Sequence, residues 1–390
     1  SQSQALTNWN EVISTNWAAV LFLTISPIAA LIAAITYSYF FGFHTGEIGL
    51  WIGFHYITGL GITAGYHRYY SHRTHEAHPL LQFFYLVMGA AVMQERVLLW
   101  ARNHRIHHRH ADSKLDPHNI RDGFFHAHMG WIFQNRPIDA DFSCVKDLKQ
   151  NRLVQWQNKY YWPIFFIFGV GLPTFLGWVL FDRPLGGFIW GGLVRLVVQN
   201  HTIYSINSIA HTFGKQTFSL AAEARDSWFL ALFSNGEGYH SYHHRFASDY
   251  RNGYKWYHWD PSKWFIRAAA SVGLASGLKR TPETAIVRAR LSVEHEQIAR
   301  SLASLPLEKR TYWSQKAEES KAQMESMLLS LQDARQRFRD YKAARGRQAM
   351  ANSRAEYEAL KQKFIESKRE FQASQHRWST LVATAALFIR

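Results

Sequence analysis

Four apolar runs approach the ~20 residues that a helix needs to cross the ~30 Å hydrocarbon core of a bilayer, and nothing else in this 390-residue chain restricts its fold as strongly. They cover residues 17–41, 50–65, 162–181 and 188–206, separated by short linkers at 42–49 and 182–187. In lipid the backbone has to satisfy its own hydrogen bonds, so runs of this length predict spanning helices. The content of 27 Phe, 15 Trp and 18 Tyr agrees, because aromatic rings gather where a chain meets lipid and its interfaces. A further apolar stretch, 80–100, carries Gln94, Glu95 and Arg96 and reads as interfacial rather than spanning.

The position of the histidines supports that count. Histidine-rich sequence follows the second run, the 80–100 stretch and the fourth run, and one metal site requires all of it on one side. Four crossings achieve this; a fifth at 80–100 would separate the first two clusters. The loop 67–158 is rich in Arg and Lys, whereas the two short linkers contain only Arg183, so the positive-inside rule places the clusters, the N-terminus and the tail in the cytoplasm. The polar first 16 residues show no cleavable signal pattern. A net charge of +15 suits anionic lipid, nucleic acid or a phosphate-bearing substrate alike and does not choose among them.

From about Thr281 the sequence turns rich in Glu, Lys, Arg, Gln and Ala, with apolar residues at helical spacing such as Met324, Leu328 and Leu331, and later Tyr357, Leu360 and Phe364. This predicts two or three long helices broken near Pro306 and Gly346, a solvated appendage or a docking surface for a partner. The expected fold is an all-α integral membrane protein: an N-terminal segment 1–16, a domain 17–280 with four transmembrane helices and a cytoplasmic histidine-rich cap, and a C-terminal helical extension 281–390.

A single cysteine, Cys144, excludes an intrachain disulfide and any cysteine-rich zinc or iron-sulfur site, so a metal would be held by N or O ligands. The histidines recur at ligand spacing: His67 and His72; His104, His107 and His108; His240, His243 and His244; and His211 in the segment that begins at Asn207. On a helix His104 shares a face with His107 or His108. Adjacent His107 and His108 point about 100° apart and serve two ions better than one. The third cluster repeats the pattern, which predicts a dinuclear site. Soluble di-iron bundles use paired Glu-x-x-His motifs; near these clusters only Glu237 to His240 has that form, which argues against a carboxylate-bridged centre. Imidazole suits Fe, Zn and Cu, so ligand type alone leaves the metal open.

The segments Gly61-Ile-Thr-Ala-Gly-Tyr-His67, Trp100-Ala-Arg-Asn-His104, Asp116-Pro-His-Asn119, Asn207-Ser-Ile-Ala-His211 and Asn235-Gly-Glu-Gly-Tyr-His240 resemble the membrane acyl-CoA desaturases of the stearoyl-CoA type, over about residues 50–278. That resemblance implies two irons, one bound by His67, His72, His108 and His244 with Asn207 reaching it through a water, the other by His104, His107, His211, His240 and His243. It implies that Gln94 and Trp100 line the kink of an acyl tunnel, with Ile203 and Tyr204 where the family has Thr and Trp. Arg102 matches a contact to the CoA phosphates and Asn103 replaces an Asp; Arg105, Arg109, Lys114 and Arg121 would complete a basic rim, and Gly59 and Gly61 would face the tunnel. The implied reaction is O2-dependent, delta-9 cis desaturation of a long-chain fatty acyl-CoA. Nothing in the chain resembles a nucleotide or flavin site, so electrons would come from a separate carrier and an NAD(P)H-dependent reductase. The alternative is a membrane di-iron alkane or lipid hydroxylase. The expected partners include the lipid bilayer and exclude nucleic acid.

Overall fold

The first helix starts where its cap does: Asn16 Oδ1 accepts the Ala19 N–H at 3.2 Å in the computed structural model, which describes residues 14–136, 141–345 and 353–387. The first 13 residues and the helix break expected at Gly346 lie outside the described residues. Helix α1, Trp17–Phe41, leaves Leu21, Ile25, Ile28, Ile32 and Ile35 exposed, the inverse of a core helix in water. It and the stretch Arg152–Phe181 are the two described helices long and apolar enough to cross a bilayer.

The other two runs expected to span fall in helices that are less apolar. One is α2, Thr45–Leu60, which winds on as a π-helix over Gly61–Ser71. The other is the π-helix Gly187–Val194, which leads into a later α-helix, Arg195–Thr212. Their interiors carry His55, Thr58, Arg195, Gln199 and Asn200, all buried against protein. The 80–100 stretch breaks into α3, Pro79–Ala90, and α4, Val97–His110. The irregular turn between them holds Met93 at φ 61° and Glu95 at φ 75°, in left-handed backbone that such residues seldom adopt. At 12 residues, α3 is about 18 Å long and too short to span by itself.

Helix α5, Arg152–Ile164, continues through a π-helix, Phe165–Gly171, into α6, Leu172–Phe181; the helix Arg195–Thr212 is α7. Each switch between i+4 and i+5 bonding leaves a carbonyl without an in-helix donor, and in an apolar interior that carbonyl needs another partner. Arg195 provides one for three segments at once. Its guanidinium donates to Ala91 O at 2.8 Å, Gly169 O at 2.7 Å and Gly191 O at 3.1 Å, and to Gln199 Oε1 at 3.2 Å, with the side chain fully buried. Arg195→Leu should therefore lower stability by about 3 kcal/mol, the cost of stranded carbonyls less the relieved burial of a charge. Thermal unfolding in detergent checks this, and an unchanged midpoint would refute the role.

At the end of the helices away from the histidines, buried Glu47 accepts from Tyr37 Oη at 2.5 Å and from Arg183 Nε at 2.6 Å. Twenty residues of helix, about 30 Å, separate this cluster from His67. A Cβ on Gly187 would lie 2.4 Å from Pro173 O, so only glycine lets the two arms of this hairpin touch.

The chain divides into two compact units, Ser1–Gln216 with Ala221–Arg280, and Thr217–Leu220 with Thr281–Arg390. The first closes on the antiparallel pair Glu76–Ala77 with Ala275–Ser276, and Lys279 N donates to Thr74 O at 2.9 Å. The second contains α9, Glu283–Leu302, α10, Leu307–Arg345, and α11, Ser353–Ala386, around Leu291, Ile298, Leu328, Phe371 and Trp378. Trp378 Nε1 donates to Glu294 Oε2 at 2.6 Å, which satisfies the one polar atom of that buried ring.

Candidate metal centre

The π-helical winding of Gly61–Ser71 decides the first pair of donors. Residues five apart lie about 140° apart on an α-helix. Bonding from i to i+5 instead stacks them, and His72 N donates to His67 O at 3.1 Å. The two rings come within 5.0 Å of each other, a proximity that the spacing alone did not provide. Helix α4 contributes His104, His107 and His108, α7 contributes His211, and the short helix α8, His240–Arg245, contributes His240, His243 and His244.

The nine rings fall into two sets. In one, His67, His72, His104, His108 and His243 each offer a ring nitrogen within 4.8 Å of the others; in the second, His107, His211, His240 and His244 do so. The rings are grouped in space differently from the grouping implied by the family resemblance: His104 and His243 lie with His67 and His72, and His244 lies with His107. The reason is helical. Residues four apart differ by about 40° and stay together, as His104 with His108 and His240 with His244, whereas the residue just before the second of each pair is turned away toward the other set. Asn207 lies one turn before His211 on the same face of α7.

The donors fit cations. Glu237 Oε2 lies 2.7 Å from His67 Nδ1, Asp116 Oδ2 2.8 Å from His107 Nδ1, and Asp112 Oδ1 3.1 Å from His211 Nδ1. A carboxylate there keeps the proton on Nδ1 and leaves Nε2 as a lone pair. These lone pairs converge: His67 Nε2 is 2.9 Å from His243 Nε2, His107 Nε2 is 3.1 Å from His244 Nε2, and His211 Nε2 is 3.0 Å from His240 Nε2. Facing lone pairs repel unless a cation lies between them, and ligands about 2.1 Å from a metal at right angles stand about 3 Å apart.

Burial, and then the neighbouring rings, push His72, His104, His108, His240, His243 and His244 well below the ordinary imidazole range, which favours the neutral ring that a cation needs as a donor. Burial would raise the carboxyls of Asp112, Asp116 and Glu237, but the imidazoles, and at Glu237 the Arg68 guanidinium, hold all three below their usual range. The sequence reading missed these three as functional residues. Asp116 and Glu237 lie inside the motif segments and were open to notice; nothing in the sequence singled out Asp112.

A cavity of about 520 Å³ ends on the histidines. All the residues expected to contact substrate line it, namely Gln94, Trp100, Arg102, Asn103 and Tyr204, and so does Asn207. Trp100 stacks on His104 with ring centres 5.0 Å apart. Phe22, Leu23, Ile62, Leu99 and Ile203 make part of the wall apolar, and Asn16, Gln134 and Arg136 make another part polar.

The expected basic rim is smaller than predicted. Arg102 lines the cavity and donates to Asn103 Oδ1 at 2.8 and 3.0 Å. Arg105 is instead held by Asp147 at 2.8 and 3.0 Å and by the carbonyls of Tyr70, Ser71 and Cys144, a structural use of its charge. Arg109, Lys114 and Arg121 are exposed and do not line the cavity. Arg136, remote in sequence from every histidine cluster, is the basic wall residue that the sequence reading missed. Gly61 does not face the cavity either: a Cβ there would lie 2.2 Å from Gly89 N, so it serves helix packing, and one on Gly59 would meet Asn235 Nδ2 at 2.8 Å.

The fatty acid desaturase family profile matches residues 47–271. The chain is 32% identical over 305 residues to acyl-CoA desaturase 1 of Saccharomyces cerevisiae, covering 78% of this chain and 59% of that protein. It is 35% identical over 306 residues to a probable acyl-CoA desaturase of Schizosaccharomyces pombe, covering 78% and 63%. With the stearoyl-CoA desaturase of Bos taurus it shares 34% identity over 245 residues, covering 61% and 68%. The match spans about three-fifths of the two yeast proteins. A family profile over more than half of the chain, around a centre of converging imidazoles, means that this chain belongs to the fatty acid desaturase family.

Proposed function

We propose that the chain is an integral-membrane di-iron desaturase that introduces a cis double bond, at the delta-9 position, into the acyl chain of a long-chain fatty acyl-CoA. The observation that carries this reading is the pair of inward-turned imidazole sets at the end of a partly apolar cavity. Two irons held there, with O2, two protons from water and two electrons from a separate carrier and its NAD(P)H-dependent reductase, would supply the oxidant that takes two hydrogens from adjacent methylenes and leaves two waters. His67, His72, His104, His108 and His243 would hold one iron. His107, His211, His240 and His244 would hold the other, with Asn207 one turn before His211. An unactivated methylene has no acidic proton for a side chain to remove, so the chain's own task is to hold the acyl group in register and keep the site dry. Gln94, Trp100 and Tyr204 shape the wall in this reading; Arg102, with Asn103 beside it, and Arg136 receive the CoA phosphates.

The names of the relatives support acyl-CoA as the carrier. A hydroxylase built on similar histidines is the other reading, and mass tells them apart. Expressed in a desaturase-deficient host, the chain should convert saturated fatty acids to products two hydrogens lighter. Products heavier by one oxygen would overturn the assignment.

For topology we propose four spans, with the histidine cap, both termini and the extension 281–390 in the cytoplasm. The cluster of buried Tyr37 and Glu47 with partly exposed Arg183, about 30 Å of helix from His67, supports this reading because that separation matches the thickness of the hydrocarbon core. Reporter fusions after Phe43 and Asp182 should read as extracytoplasmic, and fusions at Lys114 and Ser262 as cytoplasmic. A cytoplasmic signal at Asp182 would defeat the four-span arrangement. Every proposed ligand and cavity residue lies before Arg245, so the extension stands outside the chemistry.

A further inference from the structure

Between α3 and α4 the cavity wall is made by Met93, Gln94 and Glu95, and the two residues that flank Gln94 carry positive φ. Strained backbone of this kind persists only where its surroundings hold it. Beside Arg195, which bonds Ala91 O at the start of the turn, the group that holds Gln94 is Asn200, a residue of α7 that is 3% exposed and does not line the cavity. Its Nδ2 donates to Val92 O at 3.0 Å and to Leu196 O at 2.8 Å. Its Oδ1 accepts from Gln94 Nε2 at 2.5 Å and from Tyr204 Oη at 3.2 Å. The two carbonyls require the amide nitrogen on their side, so the oxygen necessarily faces Gln94 and Tyr204, and the full capacity of the amide is used.

We propose that Asn200 is a specificity-determining positioning residue: by fixing Gln94 and Tyr204 on opposite elements of the cavity wall, it sets the register in which an extended acyl chain lies against the histidines. This rests on the desaturase reading above. Apolar walls discriminate poorly between neighbouring methylenes, so register depends on walls that do not move. Without Asn200 the Gln94 amide and the Tyr204 hydroxyl lose their shared acceptor and Val92 O loses its donor, so that the bond from Arg195 to Ala91 O is left to tie the start of the turn to α7.

The test uses the full chain in membranes of a desaturase-deficient host, supplied with stearoyl-CoA or palmitoyl-CoA, with double-bond position read by mass spectrometry and iron content measured alongside. Wild type should give one position. Asn200→Leu should spread the product over adjacent positions while keeping its iron, and adding Gln94→Leu should spread it no further. A single unchanged position from Asn200→Leu would overturn the proposal. If that variant fails to accumulate, Tyr204→Phe and Gln94→Leu, each removing one bond to Asn200, carry the test, and an unchanged position in both overturns it. A wild-type chain that made no unsaturated product would instead defeat the desaturase reading. The proposal would then be judged by binding, where Asn200→Leu should change the ratio of affinities for stearoyl-CoA and palmitoyl-CoA by about tenfold, and an unchanged ratio would overturn it.

Discussion

His108→Ala and His243→Ala should each remove one iron and abolish turnover, and the double variant should still hold about one iron per chain, because both residues belong to the same set. His108→Ala with His244→Ala should leave none. The family-implied grouping predicts the reverse, since it places His108 with His244 and His243 with the other ion. Metal content of the two double variants therefore decides between the groupings independently of activity, which all four single and double variants lose. Loss of even an outer partner of a ligand costs about 10- to 100-fold in metal affinity or activity, so direct loss of an imidazole sets a larger effect. The physical basis is the 40° offset between residues four apart on a helix, which keeps His240 and His244 together and sends His243 to the other side. Equal metal content in the two double variants would refute this partition.

Glu237 carries the second large effect because three groups depend on it. Its carboxylate meets His67 Nδ1 at 2.7 Å, Arg68 Nη2 at 2.9 Å and Asn252 Nδ2 at 2.7 Å, and it is almost wholly buried. Glu237→Ala would leave the buried Arg68 with Asp260 as its remaining carboxylate, and should cost about 3–5 kcal/mol of stability. Glu237→Gln preserves the shape and an acceptor for His67 but removes the charge, so the fold should survive while metal affinity falls about 10- to 100-fold. Thermal unfolding and retention of iron against a chelator separate the two effects. If Glu237→Gln held iron as tightly as wild type, the carboxylate would be serving Arg68 and the fold rather than His67.

What the sequence by itself determined about this protein is what depends on near neighbours. Apolar runs of spanning length announced α1 and the Arg152–Phe181 stretch, because hydropathy is a local property and both helices turn their apolar side chains outward. The histidine spacings of α4 and α8 announced that each helix divides its rings between two groups, because helical periodicity fixes which rings share a face within one turn. The residues expected from the resemblance to meet an acyl chain do line one cavity. Tertiary structure decided the rest. The pairing of His67 with His72 needed a π-helical winding that residue spacing does not reveal. Which face of α4 meets which face of α8 depends on how helices more than a hundred residues apart in sequence are oriented, so the sorting of nine rings into two sets was not a local property. Charge was sorted the same way: Arg105 and Arg102 look alike in sequence three positions apart, yet Asp147 and three carbonyls hold the first while the second reaches the cavity. The buried polar residues Arg195, Gln199 and Asn200, which lower the hydropathy of the fourth run, find their partners only when π-helical carbonyls, a strained turn and a neighbouring helix are brought to them. A buried polar group is tolerated only with such partners, and folding alone supplies them.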